Sequence, residues 1–329
     1  MPANLTPMYL EAERRFRLAK TEPERIQALE EMLAVIPKHK GTEKLQADIK
    51  RRISKLRGEM QKKGGAKRAC LFSVDRQGAG QVVLAGAPNS GKSSLLAALT
   101  RALPEVAAYP FSTRKPLPGM MAFQNIKIQL VDLPPITPNL TEGWVYSIIR
   151  NADLLMLVVD LQAPDLLEQT DMLLEEMERA RIRPGGWPSR NEPDENGYWQ
   201  KRALLVANKA EGRRAQENFQ ALKELYEGRF APVAVSTPTG EGLDRIPAQT
   251  FQCLEIIRIY TKSPGKEPSL DEPVVLDKGS TVLEVAEAIH KDFKHQLKYA
   301  RIWGQGKYDG QRVERDCVMQ DGDVIELHT

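Results

Sequence analysis

The consecutive residues Gly86-Ala87-Pro88-Asn89-Ser90-Gly91-Lys92-Ser93 form a complete G-x-x-x-x-G-K-[ST] pattern, the strongest chemical signal in the sequence. Glycines at this spacing let the backbone curl and aim successive N–H groups at an anion, the lysine adds a full positive charge, and the serine hydroxyl can ligate a divalent cation. The pattern follows the apolar run Gln81–Ala85 and precedes the helical run Ser94–Leu103. A phosphate held there would face a helix N-terminus, where unpaired N–H groups favour negative charge. The expectation is that Gly86, Pro88, Asn89, Ser90, Gly91, Lys92, Ser93 and Ser94 cradle a nucleotide's phosphates, with Lys92 on the β- and γ-groups and Ser93 on Mg2+.

The loop alone does not choose between a GTPase, an ATPase and a kinase, so the order of the later motifs must decide. Ser112-Thr113 lies about 20 residues downstream, where Thr113 can complete a magnesium shell. Asp132 ends the next apolar strand and can support the metal through water. Asn208-Lys209-Ala210-Glu211 closes a later strand as a base-reading element would, and Ser236-Thr237 follows the last strand, within reach of a guanine carbonyl. That order is the order of a GTPase. Lys92, Thr113 and Asp132 are the expected catalytic residues, Ser93, Thr113 and Asp132 the expected Mg2+ set, and Asn208, Lys209, Glu211, Ser236 and Thr237 the expected base site.

The elements that must position these residues are readable from periodicity. From about residue 70, the short apolar runs Gln81–Ala85, Ile126–Val131, Leu154–Asp160, Ala203–Ala207 and Pro232–Val235 alternate with helical stretches, which predicts an α/β fold with a mainly parallel sheet. Residues 67–262 are read as this nucleotide-binding domain. Arg183–Gln200, rich in Pro and Gly, is read as an inserted loop in which Trp187 is a partner anchor. Residues 1–66 are read as a helical hairpin. One helix opens at the capping box Thr21-x-x-Glu24 and carries Ile26, Leu29, Leu33 and Ile36; a second starts near Thr42 and carries Leu45, Ile49, Ile53, Leu56 and Met60. After a linker at Thr261–Pro268, residues 267–329 are read as a small separate domain with a strand near Pro273–Leu276, a helix opened by Thr281-x-x-Glu284, and a last strand Val324–Leu327.

Composition removes several classes. The chain is 41% apolar and 28% charged with no apolar run of membrane-spanning length, so a cytoplasmic location is expected. Cys70, Cys253 and Cys317 are widely spaced and the four His have no metal-binding spacing, which argues against a disulfide framework, a zinc site or a Ser/His hydrolase. Residues 1–68 hold 17 Lys and Arg against 9 Asp and Glu, a balance of +8 in a chain of net charge +3. The cluster Lys50, Arg51, Arg52, Lys55, Arg57, Lys62, Lys63, Lys67 and Arg68 faces a single acid, Glu59, and reads either as a phosphate-backbone contact or as a solvated helix face.

These motifs resemble the Obg-like branch of the translation-factor-class GTPases, and within it the developmentally regulated GTP-binding (DRG) family. Tyr109-Pro110-Phe111-Ser112-Thr113 is similar to that family's first switch and Asp132-Leu133-Pro134 to the start of its second. Ala288–Phe293, Lys298–Gly304, Gly310–Val313 and Asp321–His328 are similar to the TGS domain that ends DRG proteins and also occurs in threonyl-tRNA synthetase and stringent-response synthetases. The resemblance implies a P-loop NTPase of the Ras-like G-domain type, an N-terminal helical hairpin and a C-terminal β-grasp TGS domain. It further implies GTP and GDP as ligands, Mg2+ as cofactor, no membrane association, and a ribosome- or RNA-linked partner met through the basic hairpin and the TGS domain.

Three residues depart from or refine the family pattern. Pro135 stands where the family's DxxG motif has glycine, so the backbone N–H that would meet the γ-phosphate is absent and slow turnover is expected. Glu211 replaces the Asp of NKxD, moving the carboxylate by about 1.5 Å, one bond length, and weakening guanine preference. Asn89 occupies the position that in related G-x-P-N-x-G-K-S loops helps bind K+. Three readings follow: a slow Mg2+-dependent GTPase switch, a non-hydrolysing nucleotide-binding scaffold with a degenerate second switch, or a site drifted toward ATP. Trp303, Tyr299 and Phe293 read either as an RNA-stacking platform or as small-domain core, and Trp144 and Tyr146 as packing beside the second switch.

Overall fold

The computed structural model describes residues 7–18, 22–36, 46–54, 73–100, 115–138, 140–186, 192–304 and 308–328. The chain divides into two units, Met1–Ser73 and Val74–Thr329. In the first, helices α1 (Pro7–Leu18), α2 (Glu22–Val35) and α3 (46–54) share one core of Tyr9, Ala12, Ile26, Leu29, Met32, Ile36, Ile49 and Ile53. The expected hairpin of α2 and α3 is therefore joined by α1, which carries only a thin apolar stripe. Arg15–Glu11 and Arg17–Glu13 on α1 and Arg52–Asp48 on α3 pair one turn apart on exposed faces, each contributing little to stability. Thr21 of the capping box, and the basic residues from Lys55 to Arg68, lie outside the described residues.

The second unit begins with an eight-stranded sheet in which β1 (Gln81–Ala85) lies between β3 (Ile126–Asp132) and β4 (Leu154–Asp160). The order is β2-β3-β1-β4-β7-β5, where β2 is Leu117–Phe123, β5 Ile182–Gly185 and β7 Trp199–Asn208; β6 (Glu192–Pro193) and β8 (Val233–Ala234) also pair with β7. Pairing is parallel along β3-β1-β4-β7, and every residue of β1 is buried, as an interior strand covered on both faces requires. The register aligns Leu84 with Asp132 and Asp160 with Asn208, so the carboxyl ends of these strands gather along one edge. In open α/β sheets ligands bind outside that edge. Helices α4 (Lys92–Thr100), α5 (Gly143–Asn151), α6 (Leu166–Arg179), α7 (Ala215–Leu225) and α8 (Arg245–Leu254) complete this part.

Arg183–Gln200, expected as a structureless insertion, is partly built. β5 and β6 pair with the first residues of β7, and Asp194 accepts the N–H groups of Asn196 and Tyr198 to form a turn. Trp187 lies outside the described residues.

A second, five-stranded sheet has the order β10-β9-β13-β11-β12, from β9 (Ile256–Thr261), β10 (Ser269–Asp277), β11 (Tyr299–Trp303), β12 (Gln311–Val313) and β13 (Val324–His328). Its core draws Val282, Val285 and Ala286 from α9 (Val282–Ile289), opened by the Thr281–Glu284 capping box, and α10 (Lys291–Gln296) follows. β9 is parallel to β13, so this sheet begins upstream of the segment read as a linker. Only Glu255, at φ 54°, separates α8 from β9. Across that joint Arg258 is 9% exposed and binds both carboxylate oxygens of Asp321, Asn125 Oδ1 (3.4 Å) and Gln124 Oε1, while Asn125 donates to the Tyr260 hydroxyl (2.8 Å). The guanidinium also lies 5.0 Å from the centre of the Phe251 ring.

One buried charge anchors the helix that follows Asp132. Lys201, on β7, is fully buried and its ammonium donates to the carbonyls of Arg150 (3.1 Å) and Ala152, at the C-terminal end of α5, where positive charge is favourable. Burial pulls its pKa down to about 8, with nearby Asp153 opposing the shift. The unfolded chain keeps that proton to about pH 10.4, so between the two values the unfolded state binds more protons and the Lys201 contribution to stability grows as pH rises. Urea unfolding of wild type and Lys201→Met, compared from about pH 7.5 to 9.5, should therefore show the difference moving in favour of wild type as pH increases. A difference that stays constant would contradict this assignment.

Candidate functional site

The loop between β1 and α4 takes its shape from close approaches that only glycine permits. A Cβ on Gly86 would lie 2.2 Å from the Val158 carbonyl oxygen of β4. Gly91 sits at φ +88°, and a Cβ there would lie 2.1 Å from Asn208 Nδ2. Asn89, at φ 62°, and Pro88 form the exposed rim, while Ser90 is buried beneath it. Asn208 closes the floor, its side-chain amide donating to the Ser90 carbonyl at 3.0 Å.

Three polar groups of opposite character meet under this loop. Lys92 is 6% exposed and its ammonium donates to the carbonyls of Gly86 (3.1 Å) and Ala87 (3.0 Å). Burial lowers its pKa to about 8, and the neighbouring Asp132 charge resists that shift. Asp132 is buried, which raises its pKa against the stabilising Ser93 hydrogen bond and the Lys92 charge. The Ser93 hydroxyl donates to Asp132 Oδ2 at 2.5 Å. Asp132 Oδ1, Ser90 Oγ and Asn208 Oδ1 are buried with no hydrogen-bond partner. Unpaired buried polar atoms are rare and costly; Asp132 Oδ1 and Asn208 Oδ1 are acceptors and fit a cation or a donor group, while the Lys92 ammonium beside them fits an anion.

The segment after Asp132 has its backbone donors fully engaged. Leu133 N–H reaches the Leu84 carbonyl (3.2 Å), Pro134 and Pro135 have no N–H, Ile136 N–H reaches the Gly86 carbonyl (3.1 Å), and Thr137 N–H reaches Thr141 Oγ1 (2.9 Å). Leu133 and Ile136 are buried against the sheet edge. Trp144 and Tyr146 are also buried, Trp144 donating to Glu142 at 3.0 Å.

At the far side of the loop, Lys209 adopts φ 65° and its ammonium pairs with Asp160 Oδ2 at 2.6 Å. Ala210 N–H bonds to the Val235 carbonyl (3.0 Å), which ties this turn to the segment carrying Ser236 and Thr237. Ser236 is fully buried and its hydroxyl accepts the Thr239 N–H at 3.2 Å. Glu211 is exposed, with Gln162 Nε2 at 3.5 Å from its Oε1. The structure thus brings residues 86–94, Asp132 and Asn208 together, with Lys209, Glu211 and Ser236 on adjoining turns; Thr113 lies outside the described residues. Asp160 and Gln162 were not singled out by sequence reasoning. A signal was present in Asp160, a carboxylate ending a wholly apolar strand.

On the small domain, both faces of the Tyr299 ring are covered, by His328 (centroids 4.4 Å apart) and the Arg312 guanidinium (4.1 Å). Phe293 packs against the domain core and Lys262 lies 4.2 Å over Trp303. Tyr299 and Phe293 are thus half-buried, each with ring contacts inside the domain.

Among the described residues no helix is long and apolar enough to cross a membrane. A family model described as a 50S ribosome-binding GTPase matches residues 81–185, and one described as a TGS domain matches residues 257–329. An uncharacterized GTP-binding protein of Methanocaldococcus jannaschii is 31% identical, with 92% of each chain covered. Human developmentally-regulated GTP-binding protein 2 is 27% identical over 92% of this chain and 98% of its own. Among solved structures, the YchF GTPase of Schizosaccharomyces pombe superposes with a TM-score of 0.53 at 12% identity, covering 77% of this chain and 99% of that one. A GTP-binding protein from Pyrococcus horikoshii gives 0.51 at 16% identity, covering 76% and 99%. At such identities these two likenesses speak for the fold. With its glycine-lysine loop, its Asn-Lys turn and its second β-grasp sheet, and with these relatives matching it nearly end to end, the chain belongs to the DRG-type family of GTP-binding proteins, a GTPase-family G domain followed by a TGS domain.

Proposed function

We propose that this protein is a Mg2+-dependent GTP-binding switch with slow GTPase activity, working with a ribosomal or other RNA-protein partner. The observation that carries the nucleotide site is a buried lysine, Lys92, at the base of a glycine-shaped loop, with the unpaired acceptors Asp132 Oδ1 and Asn208 Oδ1 beside it to meet a cation or a donor. In this reading the backbone of residues 86–94 holds the phosphates and Lys92 turns its ammonium from the Gly86 and Ala87 carbonyls toward them. Ser93, Thr113 and Asp132 would hold Mg2+, which when bound neutralises charge on the β- and γ-phosphates. Asn89, at the rim, is the candidate for K+. Asn208, Lys209 and Glu211 read the base, with Ser236 and Thr237 alongside.

Slow turnover follows from the donors after Asp132. Every backbone N–H from Leu133 to Thr137 is either absent or engaged, so that segment offers none to a γ-phosphate without first breaking a bond. The same accounting favours a second reading, a binding module in which nucleotide stabilises the fold or a complex and turnover is negligible. Support for an RNA-protein partner comes from the matched family's description, from the TGS domain and from the basic segment, whose described part, Lys50 to Arg52, is exposed on α3.

Three measurements test these readings. Lys92→Ala should lose guanine-nucleotide binding by about a hundredfold or more in titration calorimetry with Mg2+, given the strength of hydrogen bonds to charged groups; retained affinity would remove the site assignment. Pro135→Gly should restore a donor and raise the preference for a non-hydrolysable GTP analogue over GDP by about ten- to a hundredfold, as a bond of 1.5–3 kcal/mol to a charged acceptor implies, and no gain would favour the binding module. RNA binding through the basic segment should weaken linearly in log–log plots against salt, with a slope near −0.7 per phosphate neutralised on a single strand; a flat response would remove that partner.

A further inference from the structure

We infer that Gln162 is a positioning residue for base selection: its side-chain amide sets the Glu211 carboxylate where the N1–H and exocyclic N2–H of a guanine would be read. This rests on the assignment of residues 208–211 as the base-reading turn.

Glu211 differs from an aspartate at the same place by one more rotatable bond, so a carboxylate that must meet two donors at once needs an external restraint to hold its angle. Gln162 is built to supply one. Its own backbone N–H donates to Asp160 Oδ1 at 2.9 Å, a local turn closed by the same carboxylate whose Oδ2 grips Lys209. The preceding residue is fixed on both sides, Leu161 N–H to the Asn208 carbonyl (2.9 Å) and the Leu161 carbonyl to Asn218 Nδ2 (2.7 Å). The Gln162 stem lies flat on Gly212, where a Cβ would come within 2.6 Å of Gln162 Cγ and 2.7 Å of Cδ, so a side chain at 212 would displace it. From that perch Nε2 lies 3.4 Å from the Lys209 carbonyl and 3.5 Å from Glu211 Oε1. Both neighbours are acceptors, which fixes the amide with its nitrogen toward them. The contacts are at the long limit of hydrogen bonding, and the donor is neutral. Gln162 therefore orients the carboxylate while leaving it its full charge and most of its acceptor capacity for a base, which a lysine or arginine in the same position would not do.

The test compares nucleoside diphosphates on the full chain with Mg2+: GDP, IDP, which lacks the exocyclic amine, and ADP. In the wild type, GDP binds more tightly than IDP. Gln162→Met keeps the length and the cover over Gly212 but removes the donor; it should shrink the GDP-to-IDP affinity ratio by about two- to tenfold, the worth of one neutral hydrogen bond, with a smaller loss for IDP, which keeps N1–H. Gln162→Glu, which repels the carboxylate, should shrink it further. In a Glu211→Ala background, Gln162→Met should change the ratio no more, because the residue acts only through Glu211. Equal losses for GDP and IDP, or effects that add to those of Glu211→Ala, would overturn the proposal and leave Gln162 a structural residue. If Glu211→Ala itself leaves the GDP, IDP and ADP ranking untouched, the base-reading assignment fails and the proposal falls with it, an outcome distinct from the first.

Discussion

The arrangement of the G domain depends on keeping a lysine and an aspartate nearly dry at the carboxyl ends of two adjacent parallel strands. Neither charge would tolerate that position alone, since removing an ion from water costs several kcal/mol even after relaxation. Lys92 is compensated by two carbonyls of its own loop and Asp132 by the Ser93 hydroxyl. The strand register that sets Leu84 beside Asp132, and the glycines that let the loop pass over β4 and Asn208, exist in the service of that compensation. The unpaired oxygens left over are the polar capacity of the site.

The neighbouring turns extend the same economy of polar groups outward. Asn208 ties the end of β7 to the Ser90 carbonyl of the loop, Asp160 pairs with Lys209, and the Ala210 N–H closes onto Val235. By contrast the chain after Asp132 is satisfied within itself and against β1. The two segments that meet above β1 and β3 thus differ, the loop of residues 86–93 being bordered by unpaired oxygens and the segment after Asp132 having its backbone donors satisfied. Two adjacent prolines, which bring no N–H, are part of that difference.

Much of the G domain was legible because its signals are local. The G-x-x-x-x-G-K-S loop, the wholly apolar β1 and β4, and the Asn-Lys turn announce themselves within ten residues. β2 did not, because Pro118, Gly119 and two methionines carry little strand preference; its place as an edge strand is set by pairing with β3. The membership of β9 was equally hidden, for Ile256–Thr261 pairs in parallel with β13 about 65 residues later and nothing local says to which sheet it belongs. The contacts of Lys201, Arg258 and Gln162 depend on partners 49 to 134 residues away, and a lone polar residue in a strand or turn gives no sign of them. In the inserted segment the abundance of Pro and Gly was read correctly as turn chemistry, yet it concealed two short strands that borrow their order from β7.

The joint between the two sheets has a mechanical meaning. A single residue links α8 to β9, and the Arg258 cluster bolts β9 to the tip of the β2–β3 hairpin, so the small domain has no free swivel. β3 runs from that tip to Asp132 over seven residues, about 20 Å at the rise of a strand. The strand that ends beside the loop of residues 86–93 therefore begins at the contacts that hold the small domain to this hairpin, Arg258 with Gln124 and Asn125, and Asn125 with Tyr260.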